Sequence, residues 1–313
     1  MGFTEFDGQG GHVYRNVRLV RRPASSASPP SDPTPLVACN ADCFHSSGVQ
    51  RGPQLLDSEL SFCIDDYINV HSRVQVVHSR VSNRSLIVAD PRLARDYGLN
   101  DDFPYGTVET LTNAQPGSAL DFYATSTLIP LGRVSISALT RITDVQQLAS
   151  INASINAQAA KAEPPINPLD VRGGRAWRID FAQDLPEGVA AGTLAGLADW
   201  DAAAAVVAGN YLHDNPDGFR WKSSQGYIVN NTWTGAQGVT SLEVSMLQAY
   251  LEGPLRIENV TIAHNVLSGP RVASQGDKFF RLCTGMYGSQ HPKEFADACV
   301  NILRANNTLG PGE

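Results

Sequence analysis

The stretch Val13-Tyr-Arg-Asn-Val-Arg-Leu-Val20 alternates apolar and polar side chains around a central Asn. A two-residue alternation marks a β-strand with one buried face. Related short runs return at residues 54–62, 67–74, 226–233, 255–267 and 300–309. Several carry Asn at or near the strand end, as in Val229-Asn-Asn-Thr, Glu258-Asn-Val-Thr-Ile and Ala305-Asn-Asn-Thr-Leu. Short β-runs recurring about every 20 to 30 residues, with Gly, Asn and Asp between them, point to a solenoid. In such a fold each strand pairs with its equivalent one turn away, about 4.8 Å along the axis. Asn at a corner tolerates the left-handed conformation and can bond to its neighbours. The reading is therefore all-β, a parallel β-helix (solenoid), although a β-sandwich would use the same short strands.

Residues 86–198 break the rhythm and read as an inserted, β-rich, small barrel-like subdomain, dividing a β-helix of 1–85 and 199–313. Alternation reappears at 134–138 and 177–181, with Pro-Gly and Pro-Leu-Gly punctuation between other β-runs. Within the insertion, residues 144–162 read as a helix, because Val145, Leu148, Ile151 and Ile155 fall at helical spacing before Pro164-Pro165. Residues 23–35, rich in Ser and Pro, form a loop.

Composition bounds the function. The 313 residues suffice for a sizeable core, and 42% are hydrophobic against 18% charged. A net charge of −7 argues against nucleic acid or an acidic membrane as partner. The chain contains no apolar run of the roughly 18 residues that a membrane span needs. The N-terminus has no signal-peptide pattern, and the opening resembles the middle of a repeating unit. The expectation is a chain whose natural start is missing, from a protein of the secretory pathway or the extracellular space. Five sequons, at Asn83, Asn152, Asn230, Asn259 and Asn306, suit that expectation only weakly, since Asn also serves corners. The five cysteines have no metal-like spacing, and small buried side chains are expected of them. Cys283 and Cys299 could pair in an exported protein.

Chemistry concentrates in Asn40-Ala-Asp-Cys-Phe-His-Ser-Ser-Gly48 and Asp65-Asp-Tyr-Ile-Asn-Val-His71. From Asp42 to Asp65 is 23 residues and to Asp66 is 24, about one solenoid turn, which would stack the three carboxylates on one side. Glycoside hydrolysis needs such a set, one acid to protonate the leaving oxygen and one base to activate water. If Ile68 and Val70 point inward, then Asp65, Tyr67, Asn69 and His71 face outward. Asp66 would then point inward unless the chain bends. A buried, unpaired carboxylate costs several kcal/mol, so a bend or a raised pKa is expected. An Asp pair could also cap a turn or hold calcium, but no further acidic ligands lie nearby in sequence, and no metal or cofactor is expected. A second candidate face is Asn215-Pro-Asp-Gly-Phe-Arg-Trp-Lys-Ser-Ser224, where Arg220, Lys222 and Ser224 share one side. A solvated basic edge is the alternative reading there. Glu243, Tyr250 and Glu252 could line the same groove.

The two motifs together resemble right-handed parallel β-helix glycoside hydrolases, and are most similar to the family 110 α-galactosidases. There a D-x-x-H-x-x-G segment precedes a D-D-x-x-N-x-H segment, matched here by Asp42, His45 and Gly48 and by Asp65, Asp66, Asn69 and His71. The resemblance covers roughly residues 8–80 and 200–310 and implies a right-handed β-helix interrupted by barrel-like insertions. It implies Asp42, Asp65 and Asp66 as catalytic residues, with the acid in the Asp65/Asp66 pair and inversion at the anomeric carbon. It places His45, Asn69 and His71 against substrate, with Asn40, Arg220, Lys222 and Glu252 as further binding candidates. Cys43 and Tyr67 depart from the pattern. The expected partner is an oligosaccharide or polysaccharide, cleaved by an α-galactosidase-like enzyme. A polygalacturonase-like hydrolase or a lyase on acidic polysaccharide is the alternative that Arg220 and Lys222 favour, since polygalacturonases bind the sugar carboxylate through an Arg-x-Lys pair. A non-catalytic carbohydrate-binding β-helix is the third reading.

Overall fold

A computed structural model of the chain describes residues 2–21, 35–90, 92–93, 110–125, 127–159, 169–170, 175–215, 218–234, 242–245, 252–253, 256–268, 280–284 and 299–310. The architecture is all-β apart from an α-helix at Val145–Ala159 and a single 3-10 turn among the described residues. No helix among them is long and apolar enough to cross a membrane.

Three parallel sheets form the larger part. The first sheet stacks Phe3–Gly10, Phe44–Arg51, Ile68–Arg73, Phe219–Lys222, Leu242–Ser245 and Phe280–Thr284. The second stacks Val13–Arg15, Gln54–Leu56, Val206–Ala208, Gly226–Val229, Val260–Ala263 and Leu303–Ala305. The third stacks Arg18–Leu19, Glu59–Ser61, Tyr211–His213, Thr232–Thr234, Val266–Leu267 and Thr308–Leu309. The chain visits first, second and third sheet in turn, so each visit is one circuit and like positions stack between circuits. Phe44 lies beside Ile68 and Ile68 beside Phe219. These side chains point inward with Leu55, Leu60, Val207, Leu212, Ile228 and Trp233 to form one core. In the fourth circuit Trp221 stacks on Phe219 at 5.9 Å. A Cβ on Gly226 would lie 2.2 Å from the indole, so that ring fits because position 226 has no side chain.

The corner between second and third sheets shows what the recurrent asparagines do. The first residue of each corner is left-handed: Asp57, Gly209, Asn230, His264 and Asn306 all have φ between 50° and 71°. The next residue turns inward. In Asn210, Asn231, Asn265 and Asn307 its side chain spans the gap between circuits. Asn231 Oδ1 accepts from the backbone N–H and side-chain amide of Asn210, and Asn231 Nδ2 donates to the Val207 carbonyl and to Asn265 Oδ1. Asn265 repeats the pattern with Ile228 and Asn307. The doublets seen in sequence thus divide two jobs, backbone geometry first and ladder second. Three of the five sequon asparagines, Asn230, Asn259 and Asn306, are left-handed corner residues.

The smaller part is a closed antiparallel barrel inserted in the third circuit. Its strands run in the order Ala119–Tyr123, Pro130–Arg141, Ala176–Phe181, Ser85–Ala89, Gln75–Ser82 and Leu194–Leu197. It has its own core around Val77, Leu86, Leu120, Phe122, Ile136, Ile179 and Phe181. It therefore starts at Gln75, not at 86. The alternation of Gln75–Ser82 looks the same whether the partner is parallel or antiparallel, so sequence could not separate it from the circuits. The expected helix at 144–162 is described over Val145–Ala159, with Asp144 Oδ1 capping it by accepting from Gln147 N–H. Leu148, Ile151 and Ile155 are buried, as the spacing requires, whereas Val145 is 78% exposed. The stretches 23–34 and 160–168 lie outside the described residues.

The cysteine expectation is corrected. Cys43 and Cys63, on neighbouring circuits with Cα atoms 5.5 Å apart, form a disulfide. Neighbouring circuits bring residues 20 apart in sequence to bonding distance, which spacing alone does not reveal. Cys39 is a free thiol, Cys299 is disulfide-bonded, and the side chain of Cys283 lies outside the described residues.

If the amide ladder holds the circuits in register, Asn231→Ala orphans buried backbone groups at about 1–3 kcal/mol each and destabilises the protein by at least about 2 kcal/mol. Asn230→Gly keeps the left-handed corner and should shift stability by only a few tenths of a kcal/mol. Urea unfolding of the two variants measures the contrast.

Candidate active site

The outer face of the first sheet carries two stacked rows. In one, His45 lies beside Asn69 and Asn69 beside Arg220; in the other, Ser47 lies beside His71 and His71 beside Lys222. Their inward neighbours are Phe44, Ile68, Val70, Phe219 and Trp221, all buried. Outward here does not mean wet. His45, Asn69, His71, Arg220 and Lys222 are each less than a tenth exposed, and Lys222 has no exposed surface. The expectation of a solvated basic edge is therefore wrong. Glu252–Gly253 pairs antiparallel with Arg73 and Ser72 and brings the Glu252 carboxylate to the Lys222 amine.

The aspartates arrive by a break in alternation. Cys43 N–H donates to the Asp66 carbonyl, which sets Asp42 beside Asp66 on adjacent circuits. Tyr67 is buried in the core, contrary to the outward position that parity assigns it. Asn215 enforces the difference: its Oδ1 accepts from Cys63 N–H, its Nδ2 donates to the Asp65 carbonyl, and its N–H donates to the Tyr67 hydroxyl. With Tyr67 turned in, Asp66 turns out and pairs with Arg220 at 3.0 Å. The bend is thus the outcome, and Asp66 is neither inward nor unpaired. One oxygen each of Asp42, Asp65 and Asp66 lies within 4.8 Å of the others, with Asp65 exposed and the other two buried. These three are close enough to share a cation. The neighbouring sulfurs of Cys39, Cys43 and Cys63 are equally close, but two of them are spent in the disulfide.

A hydrogen-bonded chain extends from the aspartates. The His71 Nδ1 faces the Ser72 carbonyl at 2.7 Å and must donate to it, because a carbonyl only accepts. Burial pushes His71 down to about 3, so it is neutral and its Nε2 is bare. The His45 Nε2 then donates to that nitrogen at 2.9 Å, which leaves His45 Nδ1 facing the Asp42 carboxylate. At the other end, Lys222 reaches Asn69 Oδ1 at 3.4 Å and Glu252. Burial opposes ionisation of Glu252, but the Lys222 ammonium overcomes it and holds the carboxyl well below its ordinary range. Glu252 and His71 approach to 3.7 Å.

The structure therefore brings together Asp42, Asp65, Asp66, His45, Asn69, His71, Arg220, Lys222 and Glu252. Asn40 is exposed, at the edge of the cluster in sequence. Tyr250 and the side chain of Glu243 lie outside the described residues. Sequence reading gave no role to Asn215, which bonds to both sides of the bend, and did not single out Arg73, although the two-residue period continues to it from His71. The chain matches no known protein-family description and no curated protein.

The cluster makes acid stability testable. His71 binds its proton near pH 3 when folded and near 6.5 when unfolded, so the unfolded chain gains protons first and stability falls as pH drops from 6.5. Glu252 acts in the same direction, only below its ordinary 4.5. His71→Gln should flatten the loss between pH 6.5 and 5, read from urea unfolding. An equally steep decline in the variant would refute the assignment.

Proposed function

We propose that the circuits wind as a right-handed parallel β-helix and that the chain is a glycoside hydrolase removing a terminal galactoside or related neutral sugar. The observation that carries the reading is the convergence of Asp42, Asp65 and Asp66 on the outer face beside His45, Asn69 and His71. Cleavage needs one carboxyl to protonate the glycosidic oxygen and one to take a proton from water. Asp42 and Asp66 each have a fixed partner, His45 and Arg220, and suit the role of orienting and deprotonating water. Asp65 is the exposed member and suits the acid that meets the leaving group. Most inverting glycosidases separate acid and base by roughly 6.5–9.5 Å. Single oxygens of the three approach within 4.8 Å, so inversion requires Asp65 to stand on the leaving-group side of the ring and the water held by Asp42 and Asp66 to attack from the opposite face.

The state of the cations favours a neutral sugar over an acidic one. Arg220 is bonded to Asp66, and Lys222 is buried against Glu252 and Asn69. A substrate carboxylate would have to displace those partners in a site already rich in carboxylates. The Cys43–Cys63 disulfide supports an oxidising compartment for the protein.

Turnover of aryl α- and β-galactosides, with NMR of the first-formed anomer, tests the reading. The expected product is inverted, and Asp42→Asn, Asp65→Asn and Asp66→Asn each lose roughly 10²–10⁴-fold in rate. Net retention, or full activity in all three variants, sinks the mechanism.

A further inference from the structure

Beyond the C-terminal end of the site strands lies a cleft between the circuits and the barrel. Its polar lining is Arg73, Tyr123, Asp201, Ser224 and Arg256, with the ion-paired Asp121 and Arg133 at one side and Glu258 beside Arg256. It continues the outer face of the first sheet. Asn69, His71 and Arg73 alternate outward on one strand, and Ser224 follows Lys222 by two residues on the next. Four residues of strand place Arg73 about 13 Å from the row of Asn69 and Arg220. That is two to three sugar rings away from the aspartates.

We propose that this cleft is a second saccharide site, which takes a neutral, hydroxyl-rich ring of an oligosaccharide whose other end reaches the aspartate cluster. The proposal rests on the carbohydrate reading of that cluster and adds a binding site to it. Three arginines face two aspartates and one glutamate, so the lining has no net charge to attract an ion. Arg133 and Asp121 satisfy each other through two bonds of 2.7 and 2.8 Å. The Nε groups of Arg73 and Arg256 are buried and make no hydrogen bond, although Glu258 lies 3.2 Å from the latter. Asp201 accepts from Ser224 and from Ala203 N–H and has further lone pairs to offer. Burial raises Asp201 to about 6, so it is an acceptor at neutral pH held at some cost until a donor arrives. Unspent donors beside an acceptor match a sugar hydroxyl, which both donates and accepts. Tyr123 adds an aromatic ring with a polar end. An anion would instead meet three carboxylates.

The test is binding, measured in Asp66→Asn so that turnover does not intervene. Calorimetry compares galactose with galacto-oligosaccharides of two to four units and with oligogalacturonides of the same lengths. The longest neutral oligomer should bind about tenfold tighter than galactose, and Asp201→Asn with Arg256→Gln should remove that advantage while leaving galactose affinity unchanged. Asn at 201 keeps the volume and can still bond Ser224, and unchanged thermal unfolding confirms an intact fold. Affinity independent of length, indifference to the two substitutions, preference for the charged series, or no binding by any saccharide overturns the proposal. The parent chain separates the two readings. Length-dependent binding without galactoside turnover removes the hydrolase and keeps the cleft, whereas turnover with flat affinity removes the cleft and keeps the hydrolase.

Discussion

Every feature of the outer face depends on the circuits stacking in register, and the corner asparagines are what make another register expensive. A slip of one residue between circuits would leave Asn231 facing backbone groups at the wrong depth and would take its side chain from the Val207 carbonyl and the Asn210 N–H. It would also exchange inward and outward faces of the strand. Register is thus specified twice, by apolar rows inside and by the amide ladder at the corner. Because the first sheet inherits that register, His45, Asn69 and Arg220 form a row without any bond among them being needed to assemble it.

The site then needs one local departure from regularity. A strand that kept its alternation through Asp65, Asp66 and Tyr67 would bury a carboxylate and expose an aromatic ring. Asn215, arriving from the fourth circuit, bonds on both sides of the bend and lets Tyr67 enter the core while Asp66 leaves it. The disulfide from Cys43 to Cys63 holds the residues just before the bend to the one just after Asp42. Both devices act on backbone between adjacent circuits, which is where the carboxylates must be brought level.

What was legible in sequence follows from this division. The recurrence of short runs around Asn showed stacked strands, and a one-turn spacing showed that Asp42 could meet Asp65 and Asp66. The helix was legible because Leu148, Ile151 and Ile155 report a period. Three things were not legible. Gln75–Ser82 alternates like its predecessors, so the start of the barrel is set by its pairing with Leu194 and Ala195, distant in sequence, rather than by its own pattern. The parity of Tyr67 is overruled by Asn215, which is distant in sequence. The cleft lining joins Arg73 from a circuit to Tyr123 from a barrel strand, so no linear motif contains it.

The charge pattern of the buried face narrows what it can meet. Placing Lys222 where it has no exposed surface is unfavourable unless its partner is equally fixed, and Glu252 is fixed by the antiparallel pairing of its own strand. The same logic ties Arg220 to Asp66. With both cations committed, Asp65 is the carboxylate of the cluster that reaches the surface, while Asp42 and Asp66 stay buried beside His45 and Arg220. A cluster of acceptors whose positive counterparts are already engaged favours ligands that bring their own donors. Hydroxyl groups bring donors without bringing charge, which fits the saccharide ligand proposed for both the face and the neighbouring cleft.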